Sequence, residues 1–239
     1  MRFAIFTAIV AMFSLGAAAA EKAVPKTSHP TRIGIIGTGD IGGALARHWA
    51  EAGHELLISS RHPEKLQALA KKLGPNVKVG TPREAAAFGD VVMLAVPYGA
   101  TPQIGRDYAT ELKGKVVLDA GNPYPSRDGE MAVRDRERGT GVASAEYLPG
   151  TKLVRAFNAI NSGPLAREAF RTPEKIGIPL AADDPKAMEI ASQLVTDAGF
   201  DPVPVGGLAR AREFDFGTPV YVRNFSAAKI REVLKLEAN

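Results

Sequence analysis

The sequence predicts an α/β fold, in which a doubly wound, mainly parallel sheet is followed by a smaller C-terminal α/β segment. Short apolar runs alternate with stretches of helical period through residues 31–161, and this order is typical of βαβ units. Residues 91–96 are apolar without interruption, as expected of a strand that helices cover on both faces. The chain has 239 residues, of which 45% are hydrophobic, so it can bury a substantial core.

The predicted strands and helices alternate along the chain. The strands are residues 33–36, 55–59, 77–80, 91–96, 115–120, 176–181 and 201–206. The helices with the clearest pattern are residues 63–73, 101–112, 162–170, 185–198 and 227–236. A further helix follows the first strand, since Ile41, Leu45 and Trp49 recur there on one face at four-residue spacing.

Local signals indicate where three of the helices begin or end. Gly74 can cap the helix over residues 63–73, and the proline after it cannot continue the helix. Thr81 and Glu84 have the spacing of a capping box, with a proline at the first helical position. Thr101, again followed by a proline, is expected to cap the next helix.

The first strand runs into a glycine-rich turn with the pattern Gly37-x-Gly39-x-x-Gly42. Gly37 permits a tight turn, Gly39 lets the backbone approach a pyrophosphate, and Gly42 allows the helix to pack closely on the strand. The start of that helix directs its free N–H groups and positive dipole end at the phosphates. Because a strand and a helix flank the pattern, it predicts the dinucleotide site of a Rossmann fold rather than an ordinary glycine turn.

The end of the second strand predicts which dinucleotide is bound. NAD-binding proteins place an Asp or Glu here to accept hydrogen bonds from the ribose 2′-hydroxyl. This chain has Ser59, Ser60 and Arg61 instead, which suit a 2′-phosphate, so the predicted cofactor is NADP. Taken singly, Arg61 also fits a solvated surface arginine, and the two serines fit helix caps. Together, at this distance from Gly37, they favour the phosphate pocket.

Ligands of open α/β sheets bind outside the carboxyl ends of the strands, so the loops there complete the predicted site. The predicted cofactor-binding residues are Gly37, Thr38, Gly39, Asp40, Ile41, Gly42, Ser59, Ser60, Arg61, Val96, Pro97, Asn122, Asn158, Ala159 and Ile160. Asn122 also fits a turn residue before a proline, and Asn158 also fits a backbone cap of the next helix. No catalytic residue is assigned, because the cofactor carries the chemistry of hydride transfer.

Residues 33–161 resemble the NADP oxidoreductases typified by NADPH-dependent deazaflavin-coenzyme reductases, and also the NADPH-binding domain of six-transmembrane ferric reductases. The matching motifs are Gly37-Thr-Gly-Asp-Ile-Gly42, Gly53-His-Glu55, Ser60-Arg61 and Val154-Arg-Ala-Phe-Asn158. The likeness continues through Ala182-Asp-Asp184 and Gly206-Gly-Leu-Ala209, and so covers nearly the whole chain after the leader.

The resemblance implies roles for particular residues and a class of second substrate. Thr38, Ser60 and Arg61 would contact the adenosine phosphate, while the loops after Val96 and Phe157 would approach the nicotinamide. The second substrate would be a flavin or a deazaflavin. An alternative is a module that binds NADPH and passes electrons to a separate, membrane-bound redox partner, or a protein that binds a nucleotide without catalysis.

Composition excludes several other classes of function. The chain has no cysteine, so disulfides, thiolate metal sites and cysteine nucleophiles are absent. The four histidines show no metal-ligand spacing, and we predict no metal site. The net charge of +4 is spread along the chain, which gives no reason to expect nucleic-acid binding. Residues 134–138 alternate Arg with acids and are expected to form a solvated face, while Tyr98 and Tyr147 either border a substrate or pack in the core.

Residues 1–20 have the features of a secretory signal peptide. Arg2 precedes an apolar stretch, and four alanines end at Ala20, so cleavage is expected after that residue. Residues 21–30 contain two prolines and fit a linker. The protein is therefore predicted to be periplasmic or secreted, with a mature chain that does not span the membrane. The alternative is an uncleaved leader that anchors the protein.

The predicted organisation is an NADP-binding domain over residues 31–161 and a smaller α/β subdomain over residues 162–239. The C-terminal part is too short, and too rich in strands, for the helical substrate domain of hydroxyacid dehydrogenases and imine reductases. We expect an NADPH-dependent oxidoreductase that passes hydride to a small-molecule redox acceptor of flavin or deazaflavin type. A homodimer is the assembly we expect for such a reductase.

Overall fold

A computed structural model describes residues 24–237, so the predicted signal peptide and the first residues of the predicted linker lie outside it. The strands are β1 (Arg32–Ile36), β2 (Glu55–Ser59), β3 (Val77–Gly80), β4 (Val91–Leu94), β5 (Val116–Asp119), β6 (Lys152–Arg155), β7 (Gly177–Ala182) and β8 (Asp201–Gly206). The α-helices are α1 (Asp40–Ala52), α2 (Gln67–Leu73), α3 (Pro82–Phe88), α4 (Thr101–Asp107), α5 (Ala109–Leu112), α6 (Pro125–Arg138), α7 (Thr140–Tyr147), α8 (Ser162–Arg167), α9 (Pro185–Asp197) and α10 (Ala227–Val233). Short 3-10 helices lie at Pro63–Leu66, Tyr98–Ala100 and Leu208–Glu213.

Within the described residues, the strands form one eight-stranded sheet in the order β3-β2-β1-β4-β5-β6-β7-β8. The first six strands are parallel, β7 runs antiparallel to β6, and β8 runs parallel to β7. This confirms the predicted doubly wound, mainly parallel sheet. The strand order reverses on either side of β1, which is the position where such sheets bind ligands.

Most helix ends follow the predicted signals. Thr81 and Glu84 form the expected capping box at α3, and Gly74 ends α2 with φ +113°. The prediction for Thr101 is wrong, because Ala100 precedes the first turn and the Thr101 hydroxyl lies buried without a partner. The predicted helix over residues 101–112 is also interrupted at Tyr108, where α4 ends and α5 begins.

The core lies on both faces of the sheet. Leu45 and Trp49 of α1 are fully buried against it, as their four-residue spacing predicts. The Trp49 indole N–H also donates to the carbonyl oxygen of Leu194, at 2.9 Å. This hydrogen bond connects α1 to α9 and satisfies a polar group that would otherwise be buried alone.

A fully buried arginine joins the end of the sheet to the C-terminal tail, which is residues 207–237, after β8. Arg155 at the end of β6 lies 2.7 Å from Oδ2 of Asp119 in β5 and 3.3 Å from Oδ1 of Asp215 in the tail. Ser144 donates to the same Asp119 carboxylate, at 2.8 Å. Burial lowers the pKa of Arg155, but the two carboxylates outweigh this effect and the net shift is upward. The guanidinium therefore stays charged.

The sequence predicts that residues 134–138 form a solvated face, and this prediction is only partly correct. Asp135 in α6 is fully buried. Its carboxylate is stabilised there, because the Tyr147 hydroxyl donates to it at 2.7 Å and Arg134 pairs with it. Tyr98 is also fully buried and packs edge-on against Tyr147, with ring centroids 6.4 Å apart. Of the two roles considered for these tyrosines, packing is the one that the structure shows.

Arg155→Ala is expected to lower the free energy of unfolding by about 3–5 kcal/mol, because it leaves two carboxylates without their cation and Asp119 fully buried. Urea unfolding followed by circular dichroism measures the change. Arg32→Ala is the control, since Arg32 pairs with Asp90 on the surface and such pairs contribute about 0–1 kcal/mol. Equal losses in the two variants would show that the buried network does not hold the fold.

Candidate active-site cleft

The turn between β1 and α1 requires glycine at two of the three positions in the Gly37-x-Gly39-x-x-Gly42 pattern. Gly37 has φ +95°, and a Cβ there would lie 2.5 Å from the carbonyl oxygen of Ala95. At Gly42, a Cβ would lie 2.1 Å from the carbonyl oxygen of Gly37. The tight turn and the close packing of α1 therefore need glycine at both positions.

Gly39 differs from the other two, because packing gives no reason for a glycine there. A Cβ at Gly39 would meet no described atom within 4 Å. Gly39 also precedes the first turn of α1, and no side chain of residues 24–237 caps this helix. The helix start thus keeps free N–H groups and its positive dipole end for a ligand, at the place where the sequence predicts the pyrophosphate.

The end of β2 lies beside this turn, since Ile36 of β1 pairs with Ser59. The carbonyl oxygen of Ser59 accepts hydrogen bonds from the N–H groups of Gly37 and Thr38, both at 3.1 Å, and from the Thr38 hydroxyl at 3.0 Å. The Ser59 hydroxyl is fully buried and donates to the carbonyl oxygen of Ile35, at 2.7 Å. The Ser59 side chain therefore supports the turn and offers no group to a 2′-phosphate, contrary to its predicted role.

Ser60 and Arg61 follow directly after β2, and at this edge Ser60 is half-buried while Arg61 is exposed. The Ser60 hydroxyl accepts from the backbone N–H of His62, at 3.0 Å, which shapes the loop. Arg61 is exposed and has no hydrogen-bond or ion-pair partner among residues 24–237. A free guanidinium next to the glycine turn fits a 2′-phosphate, with which it can form charge-assisted hydrogen bonds.

A cleft of about 420 Å³ opens at the carboxyl ends of the central strands. Six of the predicted cofactor-binding residues line it, namely Asp40, Ile41, Val96, Pro97, Asn122 and Ile160. They come from the loops after β1, β4, β5 and β6, so the parallel sheet brings four separate sequence segments to one place.

Two predicted residues lie behind the cleft rather than in it. Asn158 is buried, and its side-chain amide donates to Asp215 at 3.3 Å. Ala159 is buried as well, and its carbonyl oxygen accepts from the N–H of Val222. Phe157, which directly precedes these two residues, has φ +61° and so changes the direction of the backbone there. These two residues shape the loop without lining the cleft.

Asn122 leaves a polar atom free at the cleft. Its side-chain N–H donates to the carbonyl oxygen of Asn158, at 2.8 Å, while its Oδ1 is buried and has no partner in residues 24–237. An unpaired buried acceptor is costly, so such an atom indicates a ligand or a water. The carboxamide N–H of a nicotinamide fits it. The open space at Gly39 and this oxygen both agree with a bound dinucleotide.

Among the lining residues that the sequence analysis did not predict are three large polar side chains. Tyr124 and Tyr221 line it, with their hydroxyl oxygens 2.6 Å apart. Arg127 lines it as well, with its guanidinium carbon 5.1 Å from the centre of the Tyr124 ring. Tyr124 lies five residues after the end of β5, and its position in a loop after a strand was a usable signal. Tyr221 is 97 residues away, and nothing in its local sequence indicates the cleft.

Two further features are absent from the described part of the chain. Residues 24–237 contain no group of three or more His, Asp or Glu side chains placed to hold a metal ion. No helix in the same range has the length and apolar character needed to cross a membrane.

Comparisons with known proteins place the chain among NADP reductases. The family model for "NADP oxidoreductase coenzyme F420-dependent" matches residues 32–123. The F420-dependent NADP reductase of Methanothermobacter thermautotrophicus is 33% identical over 205 residues, which cover 80% of this chain and 88% of that protein. Metalloreductase STEAP3 of Rattus norvegicus is 28% identical over 199 residues, which cover 80% of this chain but 37% of that protein.

A solved structure extends the likeness to the fold. A hypothetical protein from Sinorhizobium meliloti, SMa0349, has a TM-score of 0.73 and 29% identity, and the match covers 83% of this chain and 96% of that one. The chain is thus similar to NADP reductases over most of its described length. This protein belongs to the family of coenzyme F420-dependent NADP oxidoreductases and is an NADP-dependent reductase.

Proposed function

We propose that this protein transfers hydride between NADP(H) and a flavin or deazaflavin ring. The observation that carries the cofactor assignment is the free guanidinium of Arg61 beside the Gly37 turn. The name of the relatives at 33% and 34% identity, F420-dependent NADP reductase, supports a deazaflavin as the acceptor.

The residues fit a dinucleotide that extends along the carboxyl edge of the sheet. Arg61 and Ser60 would hold the 2′-phosphate, and the start of α1 at Gly39 would hold the pyrophosphate. Asn122 would accept a hydrogen bond from the nicotinamide carboxamide through its free Oδ1. The cofactor supplies the hydride, and these residues orient it toward the cleft.

The cleft suits a flat acceptor ring. Ile41, Val96 and Pro97 give it apolar walls, and Tyr124 and Tyr221 form an aromatic side. Hydride transfer depends on holding the two rings at close distance and in the correct orientation, more than on an acid or a base. An open cleft of about 420 Å³ beside the nicotinamide position allows such a ring to enter from solvent.

A second candidate function is an NADPH-binding module that passes electrons to a separate redox partner. The observation that favours it is the match to Metalloreductase STEAP3, in which the matching part is 37% of a longer protein. In that case the acceptor would belong to the partner, which the predicted leader would bring to the same compartment or membrane.

We also propose that residues 1–20 direct export and that the mature chain begins at Glu21. The charged start, apolar stretch and terminal alanines of the leader support this proposal. An exported reductase would work in the periplasm or outside the cell.

Arg61→Ala is expected to weaken NADPH binding about 10–100-fold and to leave NADH binding almost unchanged, because a charge-assisted contact with the 2′-phosphate is lost. Isothermal titration calorimetry with both cofactors measures the two dissociation constants. Arg106→Ala, at an exposed arginine of α4, is the matched control. If Arg61→Ala weakens both cofactors equally, Arg61 does not bind the phosphate.

Purified protein is expected to oxidise NADPH when coenzyme F420, FMN or riboflavin is added, because the bound NADPH supplies a hydride to the added ring. The loss of NADPH absorbance at about 340 nm measures the rate of this oxidation. Coenzyme F420 is expected to be reduced fastest. Tight NADPH binding with no acceptor reduced would contradict direct transfer and support the binding module.

Expression of the full chain in a bacterial host is expected to yield a periplasmic protein whose first residue is Glu21, as N-terminal sequencing will show. A chain that lacks residues 2–20 is the control and is expected to stay in the cytoplasm. Recovery of the intact chain in the membrane fraction would instead support an uncleaved anchor.

A further inference from the structure

The hydroxyls of Tyr124 and Tyr221 form a pair that serves no other group in residues 24–237. Their oxygens lie 2.6 Å apart, so one hydroxyl donates to the other. Neither hydroxyl has another partner among the described residues. A pair of hydroxyls carries two protons and the shared hydrogen bond uses one of them. The pair therefore keeps one free O–H donor, and both side chains line the cleft.

The backbone next to Tyr221 is strained. The next residue, Val222, has φ +51°, which is a rare conformation for a β-branched side chain. Its N–H donates to the carbonyl oxygen of Ala159, at 2.9 Å, in the loop after β6. Phe157 in that same loop has φ +61°. Strain of this kind persists where the surrounding structure imposes it, and it clusters at functional sites.

Neighbouring aromatic and cationic groups fix the two rings. Phe216 packs edge-on against both Tyr124 and Tyr221, with ring centroids 5.3 Å apart in each case. Arg127 lies over the Tyr124 ring, and Arg136 lies 4.5 Å from the centre of the Phe216 ring. Burial, followed by the hydrogen bond to Tyr124, raises the pKa of Tyr221 above its usual value. Tyr221 therefore stays protonated at neutral pH, and both rings are held beside two cations.

We propose that the Tyr124 and Tyr221 hydroxyls act as one hydrogen-bond donor to a carbonyl oxygen of the acceptor ring, and so stabilise the negative charge that hydride transfer places on that ring. This proposal rests on the proposed hydride transfer to a flavin or deazaflavin.

The electrons balance in this step without a further reactant. The C–H bond at the nicotinamide breaks and a new bond to hydrogen forms on the acceptor ring. The electron pair that this bond displaces moves through the conjugated ring to the carbonyl oxygen, where the free O–H donates. Solvent water, which reaches the open cleft, then supplies the proton that completes the reduction. The tyrosines keep their protons throughout.

Tyr124→Phe, Tyr221→Phe and the double variant test the proposal. The steady-state rate is measured with NADPH and coenzyme F420, and with FMN as a second acceptor. The more damaging single change is expected to lower kcat about 10-fold, less than the roughly 100–1000-fold that a lost donor costs in a site that excludes water, because this cleft is open. Because the two hydroxyls act as one unit, the double variant is expected to lose no more than about threefold further.

Two readouts separate this role from a structural one. Calorimetry is expected to show unchanged binding of NADP and weaker binding of coenzyme F420 to the NADP complex. The primary isotope effect with 4-deuterated NADPH is expected to rise, because hydride transfer becomes slower relative to other steps. Tyr108→Phe is the matched control, since Tyr108 also has a cation near its ring, with Arg83 at 5.2 Å, but lies outside the cleft.

Each outcome has a defined meaning. If the native protein reduces coenzyme F420 and both single variants match its kcat, the tyrosine pair has no role in the step and the proposal is wrong. Fully additive losses in the double variant would also overturn it, because two independent groups would then be acting. If the native protein reduces neither acceptor, the proposed function itself fails. Unchanged binding of coenzyme F420 by the double variant would then overturn the contact as well.

Discussion

The buried guanidinium of Arg155 is the interaction on which the functional edge of this protein depends. A charge that is removed from water is costly, and here Asp119 and Asp215 compensate for it. Asp119 ends β5, and its other oxygen accepts from the N–H of Gly121, at 2.8 Å, in the loop that leads to Asn122. One ion-pair network thus connects the start of the loop after β5 with the C-terminal tail.

The tail is the second part of the molecule that forms the cleft. Asp215 is followed by Phe216 and then by Tyr221, which returns to the loop after β6. The strands β7 and β8 continue the same sheet, and β8 leads directly into this tail. The C-terminal residues therefore add Tyr221 to the cleft that the loops of the parallel strands begin.

The glycine turn between β1 and α1 is held mainly by main-chain contacts, in contrast to the ion pairs around Arg155. Gly37 and Gly42 allow main-chain atoms to approach closely, and the Ser59 carbonyl oxygen ties the turn to β2. With the backbone fixed in this way, Arg61 lies two residues after the end of β2 with its guanidinium exposed, where the proposed function uses it. The family model matches residues 32–123, a range that includes this strand, glycine turn and helix.

The sequence by itself determined the sheet, the glycine turn and the preference for NADP, because each of these depends on residues close together along the chain. Local spacing cannot show which side chain is buried at the end of a strand, so the sequence did not distinguish the fully buried Ser59 from the half-buried Ser60. Only the tertiary structure decided that Asn158 lies behind the cleft and that Tyr221 lies in it. Those positions result from long-range contacts, which bring Arg155 and the tail together across many residues and leave no periodic signal in the sequence.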